Sequence, residues 1–272
     1  MESNFQRFPK LWLRFVTAAV GLPIVVAAVW WGGAPLLLLL ALLAAAGIGE
    51  FDGLARGWGF RPLTVLEGAG VALFLILAHA RMESWLFPGM AALVMTILLA
   101  HLLHGRRLEA VADAAMTLLG VLYIGFLLSF LLWIRSLPQG RFYTLLVLAA
   151  VWSTDAVAYF VGLTLGRHPL SPHISPRKSW EGAIAGLAGG VGGAALLGWL
   201  LGLPVSISMA LGGSCSVAGQ LGDLVESALK RSAGVKDSGG LLPGHGGVLD
   251  RFDALFFAAP VGYIILVILG AR

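Results

Sequence analysis

Residues 227–253 read SALKRSAGVKDSGGLLPGHGGVLDRFD, and the rest of the chain is organised around this stretch. It packs Lys230, Arg231, Lys236, Asp237, His245, Asp250, Arg251 and Asp253 around a glycine-rich turn between two apolar segments. Ionic groups are costly near a bilayer and are kept there chiefly for function, so chemistry is expected at this turn.

The composition agrees with a membrane setting. Of 272 residues, 58% are hydrophobic and only 12% charged, and the mean hydropathy is +0.90. Such a chain lacks the charge that a water-facing surface needs, which makes it an integral membrane protein. The net charge of +4 reflects basic loops on one side of a membrane rather than nucleic-acid binding. One cysteine, Cys215, allows no intrachain disulfide and no cysteine-rich zinc site, and reads as a small buried residue.

Crossing a hydrocarbon core of ~30 Å takes roughly 20 helical residues, and about nine runs approach that length. They are Leu11–Trp31, Ala34–Asp52, Thr64–Ala80, Trp85–His104, Ala110–Arg135, Phe142–Gly166, Lys178–Leu201, Pro204–Arg231 and Asp250–Gly270. The expected fold is all-α and polytopic. Residues 1–141 are expected as a transmembrane scaffold that also offers oligomer contacts, and 142–272 as a catalytic region with its site on the cytoplasmic side. The basic N-terminus leads into a long apolar run and is expected to remain as an anchor. Trp30, Trp31, Trp85 and Trp133 fall near segment ends, where interfacial belts form. Glu50, Asp52 and Glu67 also fall near ends, and interfacial solvation is expected for them.

Orientation follows from the basic residues. Arg7, Lys10, Arg14, Arg56, Arg61, Arg106, Arg107, Arg167, Arg177, Lys178, Lys230, Arg231, Lys236 and Arg251 share the side of the N-terminus, leaving Arg81, Arg135, Arg141 and Arg272 opposite. The N-terminus and the 227–253 turn are therefore expected in the cytoplasm, at the inner face of the cell membrane.

The polar residues inside the segments mark a site. Asp155, in WSTDAVAYFVG, sits near the middle of the sixth segment, where a lone charge costs on the order of 3 kcal/mol. The eighth ends GQLGDLVESALKR, which places Asp223, Glu226, Ser227 and Lys230 on one helix face. Asp250 and Asp253, three apart, share a face of the ninth. If the last two helices pack together, carboxylates line both walls of the intervening loop. Carboxylate oxygens suit Mg²⁺ held together with substrate phosphates. Glycines 239, 240, 244, 246 and 247 let backbone approach an anion. The parts fit a site that stabilises phosphoryl oxygens. Basic residues alone would satisfy the orientation rule, but that rule asks for no acids.

From Ser227 to Asp253 the pattern S-x-L-K-R-x4-K-D-x-G-x2-L-P-x-H-G-G-V-x-D-R-F-D resembles the signature of phosphatidate cytidylyltransferases, also called CDP-diacylglycerol synthases. STDAVAYFVG around Asp155 and ISPRKSWEG over Ile174–Gly182 are similar to the same family. The ordered motifs cover about the last 130 residues. The resemblance implies transfer of a cytidylyl group from CTP to phosphatidate in the bilayer, releasing pyrophosphate. It implies Asp223 and Asp250 as metal ligands, with Asp253 a ligand or an orienting group. Asp155 then either completes the cation site or holds a lysine. Lys230, Arg231, Lys236 and Arg251 would contact triphosphate or lipid phosphate, with Lys178 and Ser179 adding contacts from the adjoining loop. Ser227 and Asp237 join this substrate-binding set. His245 either stabilises the turn or touches phosphate. Mg²⁺ is the expected cofactor, and a second, monovalent cation and a homodimer stay open.

Other classes fit less well. A transporter would show an internal repeat and a midplane site. Asp52-Gly53-Leu54-Ala55-Arg56 is only faintly similar to a CDP-alcohol phosphotransferase motif, lacking one residue and the later aspartates. A CTP-dependent lipid kinase is nearer in chemistry but releases CDP. The odd segment count predicts that a reporter fused after Arg272 reads as extracytoplasmic; a cytoplasmic signal there would refute the count.

Overall fold

The computed structural model describes residues 7–104, 110–241 and 246–271, without the side chains of 7–18 and 104. Ten α-helices follow one another: α1 (Arg7–Trp31), α2 (Gly33–Gly57), α3 (Thr64–His79), α4 (Leu86–His104), α5 (Ala110–Gly120), α6 (Leu127–Ser136), α7 (Gly140–Leu165), α8 (Trp180–Leu200), α9 (Val205–Ser232) and α10 (Leu249–Ile268). A π-helical turn, Val121–Phe126, joins α5 to α6 into one rod. Nine rods thus appear among the described residues, close to the segments read from the sequence. In hydrocarbon every backbone N–H and C=O must be satisfied within the segment, which is why these apolar runs are helical.

Six of the rods are long and apolar enough to cross a membrane: 33–57, 83–103, 110–136, 140–165, 180–200 and 249–268. The apolar part of α1, Ala19–Trp31, and α3 are shorter. Helix α9 is not among the six; its second half carries Asp223, Glu226, Lys230 and Arg231. One short antiparallel hairpin, β1 (Pro169–Ser171) and β2 (Ser175–Ser179), interrupts the helical plan and pairs Pro169 with Ser179. Pro169, Pro172 and Pro176 prevent helix there. Lys178 and Ser179 consequently lie in a strand, ahead of α8.

Small residues set the packing of the last four helices. A methyl group at Gly189 of α8 would lie 2.6 Å from Val157 of α7, and one at Gly212 of α9 would lie 2.7 Å from Ala194 of α8. Helices α7 and α9 also meet through a buried Thr154–Ser216 hydroxyl bond of 2.8 Å. Cys215 is fully buried and its thiol faces the Ala258 carbonyl of α10 at 3.4 Å. Leu146, Val147, Ala150, Leu211 and Ala258 form the centre of the main core. A smaller core of Phe74, Leu93, Ile97, Ala114 and Val121 lies among α3, α4, α5 and the π turn.

Chain direction brings the C-terminal ends of α2, α7 and α9 together with the N-terminal ends of α8 and α10. Gly57 lies beside Ala233, and the Arg231 guanidinium reaches the Ile174 carbonyl of the hairpin loop at 3.4 Å. At the other end, Arg135 donates to the Val29 carbonyl at 2.8 Å and to Trp30 at 3.2 Å. That guanidinium satisfies the orphan carbonyls of α1.

Two sequence expectations change. Glu50 (9% exposed), Asp52 (2%) and Glu67 (0%) are buried rather than solvated at the interface. Asp52 is held by Thr64 and Arg56, and Glu50 by the turn described below. Trp30, Trp31 and Trp85 are exposed, whereas Trp133 is inside the core. The reason is that α6 packs on α7 and α10, so its last turn is covered by protein.

Candidate active site

Lys230 is the hub. One turn along α9 it pairs with Glu226, and across the helix interface it pairs with Asp250 in the first turn of α10. The three side chains are 11%, 1% and 6% exposed. An ammonium between two carboxylates satisfies charges that would otherwise be very costly to bury. It also locks α9 to α10 at the level of the turn.

Asp250 organises that turn. Its Oδ1 takes Lys230, and its Oδ2 accepts the backbone N–H of Ser238 at 3.0 Å, the Ser238 hydroxyl at 3.1 Å and the backbone N–H of Gly247 at 2.8 Å. Glu50, from α2, accepts from the N–H groups of Val248 at 2.8 Å and Leu249 at 2.9 Å. Of the glycines expected to cradle an anion, Gly247 gives its N–H to Asp250, and Gly244 lies outside the described residues. Backbone donors 247–249 hold two carboxylates of the protein itself, so they are not free for substrate.

A second group lies alongside. Lys178 of β2 pairs with Asp223 of α9, both about one third exposed. The Ser227 hydroxyl stands 3.5 Å from Asp223 Oδ1. Asp223, Lys178 and Arg251 lie close enough to act on the charge of Asp155, and Asp223, Glu226 and Asp155 on that of Asp253. Three carboxylates from α7, α9 and α10 therefore lie within electrostatic reach of one another, with Lys178 and Arg251 as nearby cations. Such a region attracts a cation or a cation-bearing anion.

The remaining residues divide clearly. Ser179 caps α8, accepting the Gly182 N–H at 3.1 Å. Arg231 is exposed and braces the hairpin and the Val235 carbonyl. Lys236 and Asp237 are exposed at the turn. His245 lies outside the described residues. Glu50 and Ser238 belong to the site although neither spacing nor motif places them there, whereas Glu226 shares the Lys230 face by helical spacing and gains its role only from the structure. Glu50 is an acid close to a long apolar run, where a carboxylate calls for a partner.

Does this donor set suit a divalent cation? Among the described residues, no three acids, histidines or cysteines form a ready metal cluster. Mg²⁺ needs none, since it takes one or two carboxylates and completes its shell with water and phosphate oxygens. Asp223 and Asp253 fit by type and feel each other's charge. Asp250, expected as a ligand, uses both oxygens on Lys230, Ser238 and Gly247.

Removing Lys230 should strand two buried carboxylates. Lys230→Met is expected to lower stability by about 3–5 kcal/mol, and Lys230→Met with Glu226→Gln by less. Thermal unfolding in detergent reads both, and equal melting of Lys230→Met and the unmodified chain would contradict the hub.

Comparison with known proteins identifies the family. The model of the cytidylyltransferase family matches residues 12–269. The chain is 40% identical over 194 residues to the phosphatidate cytidylyltransferase of Bacillus subtilis, covering 69% of this chain and 68% of the relative. It is 35% identical over 206 residues to that of Staphylococcus aureus, covering 75% and 78%. To the phosphatidate cytidylyltransferase of Synechocystis sp. it is 32% identical over 287 residues, covering 94% and 96%. With the family model matching nearly the whole length and relatives agreeing over two thirds or more of the chain, this chain belongs to the cytidylyltransferase family.

Proposed function

We propose that the chain is a CTP:phosphatidate cytidylyltransferase of the cell membrane, with its N-terminus and site in the cytoplasm and its C-terminus outside. The observation that carries this reading is the Lys178–Asp223 pair at one end of the bundle, within electrostatic reach of Asp155 and Asp253. Lys178 and Asp223 are each about one third exposed there, so a soluble nucleotide can reach them, and phosphatidate would come from the surrounding lipid.

Both substrates are anions, so the barrier is largely electrostatic. An oxygen of the phosphatidate phosphate attacks the α-phosphorus of CTP. A new phosphorus–oxygen bond forms as the bond from the α-phosphorus to the β-bridging oxygen breaks. Pyrophosphate leaves, and CDP-diacylglycerol stays in the bilayer. The attacking oxygen is ionised near neutral pH, so no general base is required. Lys178 and Arg251 lie near these carboxylates and supply positive charge to the phosphates. Arg231 and Lys236, exposed at the rim, draw the nucleotide in. Asp223 and Asp253 would hold Mg²⁺, which supplies neutralisation of the triphosphate oxygens. Lys230 stays between Glu226 and Asp250 and holds α9 and α10 in register.

Purified chain in detergent, given CTP, phosphatidate and Mg²⁺, should release pyrophosphate and CDP-diacylglycerol in equal amounts. Release of CDP with a newly phosphorylated lipid would instead mark a CTP-dependent lipid kinase. ATP in place of CTP should yield no product. Asp223→Asn should lower kcat by about 10²-fold or more; full activity in that variant would contradict its assignment.

A further inference from the structure

We infer that Glu50 of α2 is a positioning residue for this site, clamping the N-terminus of α10 and the turn at Ser238 so that Asp250 stays seated against Lys230. This rests on reading the turn as the transferase centre. It gives the N-terminal helices a part in the site, which no motif in them reveals.

Three donors converge on the Glu50 carboxylate. Oε1 accepts the Val248 N–H at 2.8 Å, and Oε2 accepts the Leu249 N–H and the Ser238 hydroxyl, each at 2.9 Å. These come from positions 188 to 199 residues further along the chain. The first N–H groups of a helix have no intrahelical acceptor. At α10 the N-cap residue is Val248, whose side chain offers none. Asp250 takes the Gly247 N–H, and Glu50 takes the next two. A carboxylate also suits the positive end of the helix dipole.

The sequence makes room for this contact. A methyl group at Gly239 would come within 2.8 Å of Glu50 Oε1, and one at Gly247 would strike both Glu50 and the Ser238 hydroxyl. One turn before Glu50, Gly47 faces the Leu249 side chain and lets α2 approach the start of α10. The glycines of the turn thus accommodate an acid of the protein.

Glu50 and Asp250 touch adjacent groups of the same turn. Glu50 holds the Ser238 hydroxyl and the Val248 N–H, and Asp250 holds the Ser238 and Gly247 N–H groups. Ser238 has a single hydroxyl proton, so its hydroxyl serves one carboxylate at a time while its N–H remains on Asp250. Releasing Glu50 frees the Ser238 hydroxyl and the two residues that lead into Asp250. A displacement near 1 Å at a reacting centre costs about 10²-fold in rate.

The test uses the full chain in detergent with Glu50→Gln, whose amide offers one acceptor oxygen and puts N–H against a donor. The expected result is a loss of about 10²-fold in kcat with KM for CTP nearly unchanged. Amide exchange should accelerate at Val248 and Leu249 while α2 stays protected. Gly239→Ala, which pushes a methyl into the carboxylate, should shift kcat and exchange in the same direction. Unchanged kcat and unchanged exchange in Glu50→Gln would overturn the inference. So would failure of that variant to assemble, or loss of protection along all of α2 and α10, either of which makes Glu50 a structural residue only. If the unmodified chain makes no CDP-diacylglycerol, the transferase reading fails, and exchange at Val248 and Leu249 still decides the clamp.

Discussion

A lysine ammonium buried between two carboxylates constrains everything at this end of the molecule. Lys230, Glu226 and Asp250 are each nearly sealed from solvent. Away from water, removing any one of them leaves an uncompensated charge or polar group, and the cost of that exceeds most packing terms. Helix α10 must therefore start where Asp250 meets Lys230. The turn between α9 and α10 must fold back on Asp250, and Ser238 and Gly247 supply the donors that complete its shell. Glu50 then closes the assembly from α2.

Close packing makes this arrangement geometrically possible. Glycines 189 and 212 let α7, α8 and α9 approach to distances at which a methyl group would collide. The hydroxyls of Thr154 and Ser216 join α7 to α9 beneath the site. Asp155, one residue beyond Thr154, is carried by the same contact into the region of Asp223 and Lys178. A buried, paired charge set provides rigidity, and the Lys178–Asp223 pair beside it, about one third exposed, provides groups that can exchange partners with an incoming triphosphate.

Much of this was legible in the sequence because it follows from local periodicity. The apolar runs located the rods to within a few residues, and helical spacing put Glu226 with Lys230 and Ser227 with Asp223. The break at 167–176 was visible, but not that its prolines leave a hairpin carrying Lys178. Nothing local relates Glu50 to Val248, since their pairing depends on how α2 packs against α10. For the same reason the glycines of the turn looked like an anion cradle: the sequence signals close approach to an anion without naming the anion. Two acids near an apolar segment end resemble an interfacial pair until a neighbouring helix covers them, as happens to Glu50 and Asp52.

The division of labour is thus between a sealed frame of Glu50, Glu226, Lys230, Ser238 and Asp250 and an accessible face formed by Asp155, Lys178, Asp223, Arg251 and Asp253. The most direct measurement is an experimental structure of the chain in lipid with CTP and Mg²⁺ bound. The account predicts the triphosphate against the accessible face, with the Lys178–Asp223 pair opened and Lys230 still on Glu226 and Asp250. A triphosphate seated instead beside Asp52, Arg56 and Arg61, or in direct contact with a displaced Lys230, would contradict it.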